Sequence, residues 1–380
     1  MRILSFGDLH ISSIKDTNYI YNVITDIFEK ELIFTKTDAV IILGDYFHRL
    51  LKVNEDHTAL AINIMSYLVR VCKSNKIKIR LVYGTESHES GQYILFNYHL
   101  TEPELDFKII TTVTKEELFP GINVLYLPEE YMLSKEDHYN EYLYSDNSYD
   151  YIFGHGVIAE GMPMLQFDTK PKSNEKHVPH FKSGELSSIS KICLFNHYHC
   201  YSDLGNDVYY LGSLFRDSFG EETPKGYGII ENNNFTFIEN KEAYIYKTYE
   251  FNEDSEVYKN SETLIKEIKK IKYDNAEIFK GERFGKIRLK FNMPQDVDVA
   301  FKENIRSILF NDKHISLLMK ESSADIISEI QETIDEEYDF ILDNSLVITD
   351  KIHQYINKKY DSDMSLEELT KYITEDFKIA

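Results

Sequence analysis

The sequence predicts an α/β protein in whose first half parallel strands alternate with helices. Three short apolar runs, each about the length of one strand, cover residues 2–6, 38–43 and 76–83. The segments between them, 18–34 and 54–74, have apolar residues at helical spacing. Strands separated by helices of this length are typical of parallel βαβ units.

Beyond these units the pattern changes to shorter strands. Single strands are predicted at 122–127, 149–153, 191–195 and 208–211. A hairpin follows, with strands 226–231 and 234–239 joined through Asn232 and Asn233. Residues 161–190 read as a long loop, and loops of that length are usually functional or mobile.

The last third of the chain differs in composition and predicts a smaller structure followed by helices. We expect helices at 261–271 and 297–309 and a strand at 286–291. From residue 325 the chain reads as helical, with 15 acidic and 5 basic residues. Three parts are therefore predicted: 1–245, 246–320 and 321–380.

The composition excludes several classes of protein. The 380 residues include 42 Lys and Arg against 64 Asp and Glu, a net charge of −22, which argues against binding nucleic acid through a basic surface. A phosphate substrate remains compatible, because bound metal ions supply positive charge. No apolar run reaches the ~18 residues of a membrane span. The first residues are too polar for a signal peptide, and the three cysteines form no CxxC pair. We expect a soluble, reduced, cytoplasmic protein without membrane contact, in the cytoplasm of a host cell if the genome is viral.

Five short motifs, each directly after a predicted strand, contain side chains suited to metal binding. They are Gly7-Asp8-Leu9-His10, Gly44-Asp45-Tyr46-Phe47-His48, Gly84-Thr85-Glu86-Ser87-His88-Glu89, Gly154-His155-Gly156 and Asn196-His197-Tyr198-His199. In an open α/β sheet, ligand-binding groups gather after the carboxyl ends of the strands. One such motif is weak evidence, since an isolated His is more often an ordinary loop or core residue, but five in series favour a metal site.

Mixed Asp and His ligands suit divalent ions such as Mn²⁺, Fe²⁺ or Zn²⁺, and the absence of clustered thiolates argues against a structural zinc site. Two ions ~3.5–4 Å apart can lower the pKa of a water molecule between them and hold the attacking and leaving oxygens of a phosphoryl group. The motifs therefore point to phosphoryl chemistry.

In their order the motifs resemble those of the calcineurin-like metallophosphoesterases, and within them the SbcD family, the nuclease subunits of SbcC–SbcD complexes. The general motifs cover about residues 1–200. A narrower likeness is Tyr210-Leu211-Gly212-Ser213-Leu214-Phe215-Arg216-Asp217-Ser218-Phe219-Gly220-Glu221, which is similar to the GS…FGE segment of SbcD-like proteins. The resemblance implies a four-layer sandwich of two mixed β-sheets flanked by helices in 1–245. It also implies a small α+β cap in 246–320 and C-terminal helices in 321–380 that bind the ATPase partner.

The resemblance also implies a role for each motif residue. The ligands of a first ion would be Asp8, His10, Asp45 and His199, and those of a second ion would be Asp45, His155 and His197. Asp45 would bridge the two ions. His88 would stabilise the transition state or protonate the leaving oxygen, with His48 assisting near the same phosphate.

The third motif departs from the family pattern. The family usually has GNHD there, and its Asn is a ligand of the second ion, whereas this chain has two more residues between Gly84 and His88. Ser87 stands directly before the His and is the candidate ligand at that position, although a hydroxyl is a poorer ligand than an amide oxygen. Glu86 and Glu89 are the alternatives, as is a weakly bound second ion.

The function that the resemblance implies is a Mn²⁺-dependent DNA exonuclease and endonuclease subunit, with Mg²⁺, Fe²⁺ or Zn²⁺ as alternative ions. It would work with an SbcC-like coiled-coil ATPase in recombination, repair or replication-linked processing. Association of two copies as a homodimer is a further alternative. Two other functions stay open. One is a metallophosphodiesterase or phosphatase acting on small phosphoesters or phosphoproteins. The other is a non-catalytic scaffold with an impaired second metal site.

Overall fold

The structure, a computed structural model, describes residues 1–14, 16–144, 147–161, 177–221, 223–258, 261–281, 283–293, 299–309, 312 and 314–320. The segment 321–380, predicted to be helical and to bind the ATPase partner, lies outside the described residues. So do residues 162–176 of the predicted long loop.

The strands and helices have the following bounds. The strands are β1 (Arg2–Phe6), β2 (Ala39–Leu43), β3 (Lys78–Val82), β4 (Phe107–Ile110), β5 (Thr114–Phe119), β6 (Ile122–Leu127), β7 (Tyr149–His155), β8 (Val157–Ile158), β9 (His180–Phe181), β10 (Ser190–Asn196), β11 (Ser202–Asp203), β12 (Val208–Tyr210), β13 (Gly226–Glu231), β14 (Asn234–Glu239), β15 (Ile245–Phe251), β16 (Gly285–Asn292) and β17 (Ile315–Lys320). The α-helices are α1 (Thr17–Phe28), α2 (Asp56–Asn75), α3 (Glu86–Glu89), α4 (Lys135–Leu143), α5 (Ser183–Ser187), α6 (Ser261–Asp274), α7 (Ala276–Phe279) and α8 (Val299–Leu309). A π-helical stretch continues α1, and the remaining helical turns are 3₁₀ segments: Glu29–Phe34, Gln92–Thr101, Ala159–Gly161 and Glu256–Tyr258.

The first sheet has the strand order β14-β13-β1-β2-β3-β4. Strands β1 to β4 are parallel, as the βαβ pattern predicts, and β13 joins β1 in antiparallel register, with Leu4 opposite Ile229. The predicted hairpin is confirmed as β13 and β14. Its two turn residues, Asn232 and Asn233, have φ angles of 52° and 62°, the left-handed conformation that a two-residue type I′ turn needs.

The second sheet has the strand order β11-β12-β10-β7-β6-β5. Its four central strands are parallel, and both edge strands are antiparallel to their neighbours. Both six-stranded sheets are therefore mixed. The predicted strands at 122–127, 149–153, 191–195 and 208–211 are confirmed as β6, β7, β10 and β12.

Three apolar layers hold helix, sheet, sheet and helix together. Side chains alternate along β1, so Ile3 lies in the core between the two sheets while Leu4 packs with residues of α1 and α2. On the far side of the second sheet, Leu125 packs with Tyr139 of α4. Burying each such Ile or Leu side chain contributes about 1.5–3 kcal/mol, so the layers fix the strands whose ends position the site.

The chain divides into two compact units, Met1–Thr248 with Asn275–Ile287, and Tyr249–Asp274 with Arg288–Ala380. The predicted helices at 261–271 and 297–309 and the strand at 286–291 are confirmed as α6, α8 and β16. Strands β15, β16 and β17 form a three-stranded sheet in that order. Within the part of the chain that the structure describes, no helix is long and apolar enough to cross a membrane.

Candidate metal centre

The five motifs meet because they follow strands that are neighbours. The first three motifs come directly after β1, β2 and β3, which lie side by side in the first sheet. His155 ends β7 and His197 follows β10, and these two strands are paired in the second sheet. The loops are tied to each other by backbone hydrogen bonds, such as that from the Asp8 N–H to the Gly44 carbonyl at 3.1 Å.

Three of the predicted ligands have a left-handed backbone. The φ angles of Asp8, His10 and Asp45 are 46°, 43° and 46°. Non-glycine residues in this region cost of order 1–3 kcal/mol each, and they persist where the surrounding structure imposes them, often at functional sites. Gly44 has a φ of 74°, and a Cβ there would lie 2.4 Å from His155 Nδ1, so only glycine fits.

The first group of side chains, which we call the histidine cluster, consists of His10, His48, His88 and His199. His10 is buried at its centre, with Nε2 2.8 Å from His199 Nε2 and Nδ1 3.4 Å from His48 Nδ1. The rings of His10 and His88 have centroids 4.7 Å apart. Burial lowers the pKa of His10 well below its ordinary value, and although Asp45 opposes this, the neighbouring imidazoles lower it further. A neutral imidazole is the form that binds metal ions.

His88 is held in one orientation by a hydrogen bond from its Nδ1 to the backbone carbonyl of His48 at 2.6 Å. Because Nδ1 carries the proton of that bond, Nε2 is the nitrogen that remains for other chemistry, and it lies 4.0 Å from Asp45 Oδ2. His88 is partly exposed, in contrast to the buried His10.

The second group, which we call the carboxylate cluster, consists of Asp8, Asp45, Glu129, His155 and His197. Asp45 Oδ2 lies 3.4 Å from His155 Nε2, Asp8 Oδ1 lies 3.8 Å from His155 Nδ1, and Glu129 Oε2 lies 3.3 Å from His197 Nδ1. Burial opposes protonation of His155, but Asp45 and the other two carboxylates raise its pKa to about 10. Its Nδ1 also donates to the Leu43 carbonyl at 2.8 Å, which leaves Nε2 facing Asp45.

Asp45 links the two clusters. Its Oδ2 is 3.7 Å from His10 Nε2 as well as 3.4 Å from His155 Nε2. Burial would raise its pKa, but His155 first and then His10 and His88 hold the pKa of this carboxyl well below its usual range. The Thr85 N–H donates to Asp45 Oδ1 at 2.6 Å, and the other carboxylate oxygen, Oδ2, faces both clusters. This is the position that the bridging role predicted from the sequence requires.

The sequence reasoning missed Glu129 and Thr85. Glu129 follows β6, and the Thr85 hydroxyl lies 3.3 Å from each of Asp45 Oδ2, Glu129 Oε2 and His155 Nε2. One signal could have found Glu129, because it comes two residues after a predicted strand of the second sheet, where ligand groups gather.

The other acidic and hydroxyl candidates of the third motif point elsewhere. Ser87 is exposed on the single-turn helix α3. Glu86 is exposed and accepts a hydrogen bond from Tyr83, while Glu89 is fully buried and accepts from the Tyr46 N–H at 3.0 Å. The hydroxyl that reaches the carboxylate cluster is thus that of Thr85, two residues before Ser87.

The GS…FGE segment supports the histidine cluster from behind. Glu221 Oε1 lies 4.0 Å from His199 Nδ1, and Glu221 Oε2 pairs with the fully buried Lys225 at 2.5 Å. Lys225 donates in turn to the His199 carbonyl at 2.7 Å and to Ser213 Oγ at 2.8 Å. These contacts lower the pKa of Glu221 to about 2 although its burial alone would raise it. Carboxylates that orient a histidine in this way are common behind metal ligands.

The donor set fits divalent metal ions. Ligand atoms lie within 4.8 Å of one another in each of the groups His10-His48-His88, Glu129-His155-His197, Asp8-Asp45-His155 and His199-Asp217-Glu221. Two buried atoms of the carboxylate cluster, Asp8 Oδ1 and His197 Nδ1, have no hydrogen-bond partner. Buried polar atoms are nearly always satisfied, so these two call for a partner such as an ion.

Comparisons with known proteins add little to this geometry. No family model and no curated protein matches the chain. A crystal structure that it resembles aligns over 63% of this chain and 99% of its own, with 9% identity and a TM-score of 0.37. A likeness at that level supports no conclusion about function.

Proposed function

We propose that the protein is a metal-dependent phosphodiesterase of the calcineurin-like type and, more narrowly, the nuclease subunit of an SbcCD-like complex that cleaves DNA. The observation that carries this proposal is the convergence of two ligand clusters on one carboxylate, Asp45, within 3.7 Å of His10 and 3.4 Å of His155. Two metal ions sharing one ligand are the arrangement that phosphoester hydrolysis uses.

Two divalent ions, of which Mn²⁺ is our first choice, would supply Lewis acidity to the scissile phosphate. On the first side the ligands would be Asp8, His10, Asp45 and His199, and on the second side Asp45, His155 and His197. The chain's own part is to hold these side chains in place before substrate binds. The backbone bonds between the loops and the hydrogen bond from His155 to the Leu43 carbonyl do this.

His88 is the proton donor of the proposal. Its Nδ1 is fixed by the carbonyl of His48, so a proton taken up at Nε2 points toward the region beside Asp45 and can pass to a leaving oxygen. His48 is exposed, and its imidazole lies next to His10, close enough to orient the same phosphate. Neither role requires these two residues to be metal ligands.

The DNA substrate and the ATPase partner rest on the SbcD-like motifs and on charge. With a net charge of −22 the chain has no excess of basic residues to hold DNA, so the ions and an SbcC-like coiled-coil ATPase would do so. The processes served would be recombination, repair or replication-linked processing of DNA in the cytoplasm, and a homodimer is compatible with this.

A second candidate function is a phosphodiesterase of small molecules, and one observation favours it. A cavity of about 670 Å³ is lined by Glu129 together with aromatic and apolar side chains, among them Tyr83, Tyr131 and Ile94. Pockets of ~300–1,000 Å³ take ligands of small-molecule size. The cavity therefore gives a small phosphodiester a place beside the carboxylate cluster.

Incubation of the purified protein with linear DNA and with a chromogenic phosphodiester, in Mn²⁺, Mg²⁺ or EDTA, tests the proposal. His88→Ala serves as the variant and His138→Ala, on α4, as its matched control. We expect Mn²⁺-dependent nucleotide release that falls by ~10²–10⁴-fold in His88→Ala and is unchanged in His138→Ala. The metal content of His88→Ala should equal that of the wild type.

The other outcomes separate the alternatives. Hydrolysis of the chromogen with intact DNA would favour the small-molecule phosphodiesterase. No turnover of either substrate, even with the ATPase partner present, would favour a scaffold.

A further inference from the structure

Among the described residues, Glu129 is a buried carboxylate without a lysine or arginine to neutralise it. Its side chain is 2% exposed, and its polar neighbours are the Thr85 hydroxyl at 3.3 Å, His197 Nδ1 at 3.3 Å and the Tyr131 hydroxyl at 3.5 Å. Within the described ranges no lysine or arginine lies at ion-pair distance from it. A buried charge without a partner is costly, so this carboxylate calls for a cation.

Two other buried carboxylates of the same unit are paired with basic side chains. Glu116 is bonded to Arg80 and Lys108, and Glu31 is paired with Arg2. Glu89, which also lies near the site, accepts hydrogen bonds from the Tyr46 N–H and the Tyr93 hydroxyl at Oε1 only, and its burial raises its pKa to about 8. Glu129 differs from all three because its closest neighbours are a hydroxyl and a histidine that belong to the carboxylate cluster.

Two unsatisfied atoms lie in the same cluster. His197 Nδ1 is 3.3 Å from Glu129 Oε2 yet makes no hydrogen bond, and Asp8 Oδ1, in a residue that is 1% exposed, has no hydrogen-bond partner either. The His155 Nε2 faces the same region through the Thr85 hydroxyl. Ligand atoms of Glu129, His155 and His197 lie within 4.8 Å of one another, so one ion would contact all three, whereas Asp8 groups with Asp45 and His155.

We infer that Glu129 is a ligand of the second metal ion and supplies, as a carboxylate, the contact that the asparagine amide of the third motif would otherwise make. Thr85 is a positioning residue, whose hydroxyl lies at hydrogen-bond distance from both Glu129 and Asp45. The inference concerns the metal site of the proposed function and therefore rests on it. Because a carboxylate is a hard, anionic ligand, the second position selects a hard divalent cation such as Mn²⁺ or Mg²⁺.

The test is equilibrium dialysis against Mn²⁺ with metal analysis of the whole protein. The variants are Glu129→Gln, Glu129→Ala and Thr85→Val. The matched control is Glu130→Gln, because the Glu130 carboxylate accepts from the Val113 N–H and pairs with His138 instead. We expect two ions per chain in the wild type and in Glu130→Gln. Both Glu129 variants should keep one ion at full affinity and bind the other ~10–100-fold more weakly or worse.

A thermal melt provides the second readout and controls for folding. In EDTA, Glu129→Gln should melt at or above the wild-type temperature, since it removes a buried carboxylate that has no lysine or arginine partner in the described part of the chain. In excess Mn²⁺ the wild type should gain more in Tm than the variant, since only ligands that bind the folded state raise Tm. A merely structural Glu129 would lower Tm equally in both media.

The inference is overturned if a Glu129 variant binds two ions with wild-type affinity, or if the wild type binds no more than one. These results are distinct from failure of the proposed function. The wild type could bind two ions, lose one of them in the Glu129 variants, and still cleave neither DNA nor the chromogen. That result would support Glu129 as a metal ligand and contradict the proposed phosphodiesterase activity.

Discussion

The histidine cluster and the carboxylate cluster share Asp45 but differ in charge. The first presents three imidazoles around that of His10, whose burial keeps its pKa low. The second presents three carboxylates around His155, whose pKa they raise to about 10. One side therefore offers neutral ligands and the other anionic ones, although both follow the same kind of strand end.

The difference shows how the adjoining ends of strands from two sheets can build two unlike candidate ion sites. Neutral nitrogen ligands accept borderline ions such as Zn²⁺ and Fe²⁺, whereas carboxylates favour Mn²⁺ and Mg²⁺. The supports differ too. Glu221 and the buried Lys225 lie behind the histidine cluster, whereas Glu129 in the carboxylate cluster has only hydroxyl and imidazole neighbours.

The strongest test of the comparison is Asp45→Asn, because Asp45 belongs to both sides. We expect both ions to be weakened and phosphodiester hydrolysis to fall by ~10³-fold or more, which corresponds to about 4 kcal/mol. Metal analysis and chromogen turnover measure this, with the exposed Asp26→Asn on α1 as control. If one ion stays at wild-type affinity, Asp45 is not the shared ligand.

Next in size is the loss of the support behind His199. Lys225→Met leaves Glu221 without its buried partner, and breaking such a pair costs about 3–5 kcal/mol of unfolding free energy. Urea denaturation measures it, with Lys191→Met as control, since that exposed pair with Asp150 should contribute no more than about 1 kcal/mol. Equal losses in the two variants would contradict a special role for Lys225.

A smaller and more selective effect is expected of His199→Ala. It should weaken one ion ~10–100-fold and leave the ion of the carboxylate cluster in place, because the His199 imidazole lies against that of His10 in the histidine cluster. Calorimetric titration with Mn²⁺ separates the two binding steps, and His138→Ala should match the wild type. Loss of both ions would show that the clusters are not separable.

The smallest effect concerns Glu116, a carboxylate that the protein itself neutralises. Burial opposes its ionisation, but hydrogen bonds from Arg80 and Lys108 lower its pKa to about 2. A carboxyl with a lowered pKa stabilises the fold above its unfolded pKa and loses that contribution as the pH falls through the folded one. Glu116→Gln should therefore cost about 1–2 kcal/mol at neutral pH, and the difference from wild type should shrink between about pH 5 and pH 2.

Urea denaturation at each pH gives that difference, and Mn²⁺ should not change it, in contrast to the Glu129 variants. A pH-independent difference would mean that Glu116 has the same pKa in both states.

The sequence predicted the strand ends well because β1, β2, β3, β7 and β10 each contain a short, largely apolar stretch that is followed directly by polar residues. It did not predict β5, because its residues Thr114–Phe119 are mostly polar and lie at a sheet edge. The histidine cluster was predicted completely, since each of its members stands in a motif of local spacing.

The carboxylate cluster was predicted only in part, for two physical reasons. The sequence indicated Ser87 because it stands directly before His88. The longer third motif, however, forms the single-turn helix α3, so Ser87 is exposed and the Thr85 hydroxyl faces the carboxylate cluster. Glu129 stands beside Glu130 in a chain rich in acidic residues, so its type alone carries no signal. The strand order of the second sheet, in which β7 lies between β6 and β10, brings the end of β6 next to His197.

The left-handed backbone at Asp8, His10 and Asp45 bears on how the protein would acquire the proposed ions. The conformational cost of these three residues is met by the sheets and by the bonds between loops, before any ion binds. Ligands held in this way stay in place when an ion leaves, so one metal can replace another without refolding. The ion carried in the cell would then follow the supply of metals there as well as the chemistry of the ligands.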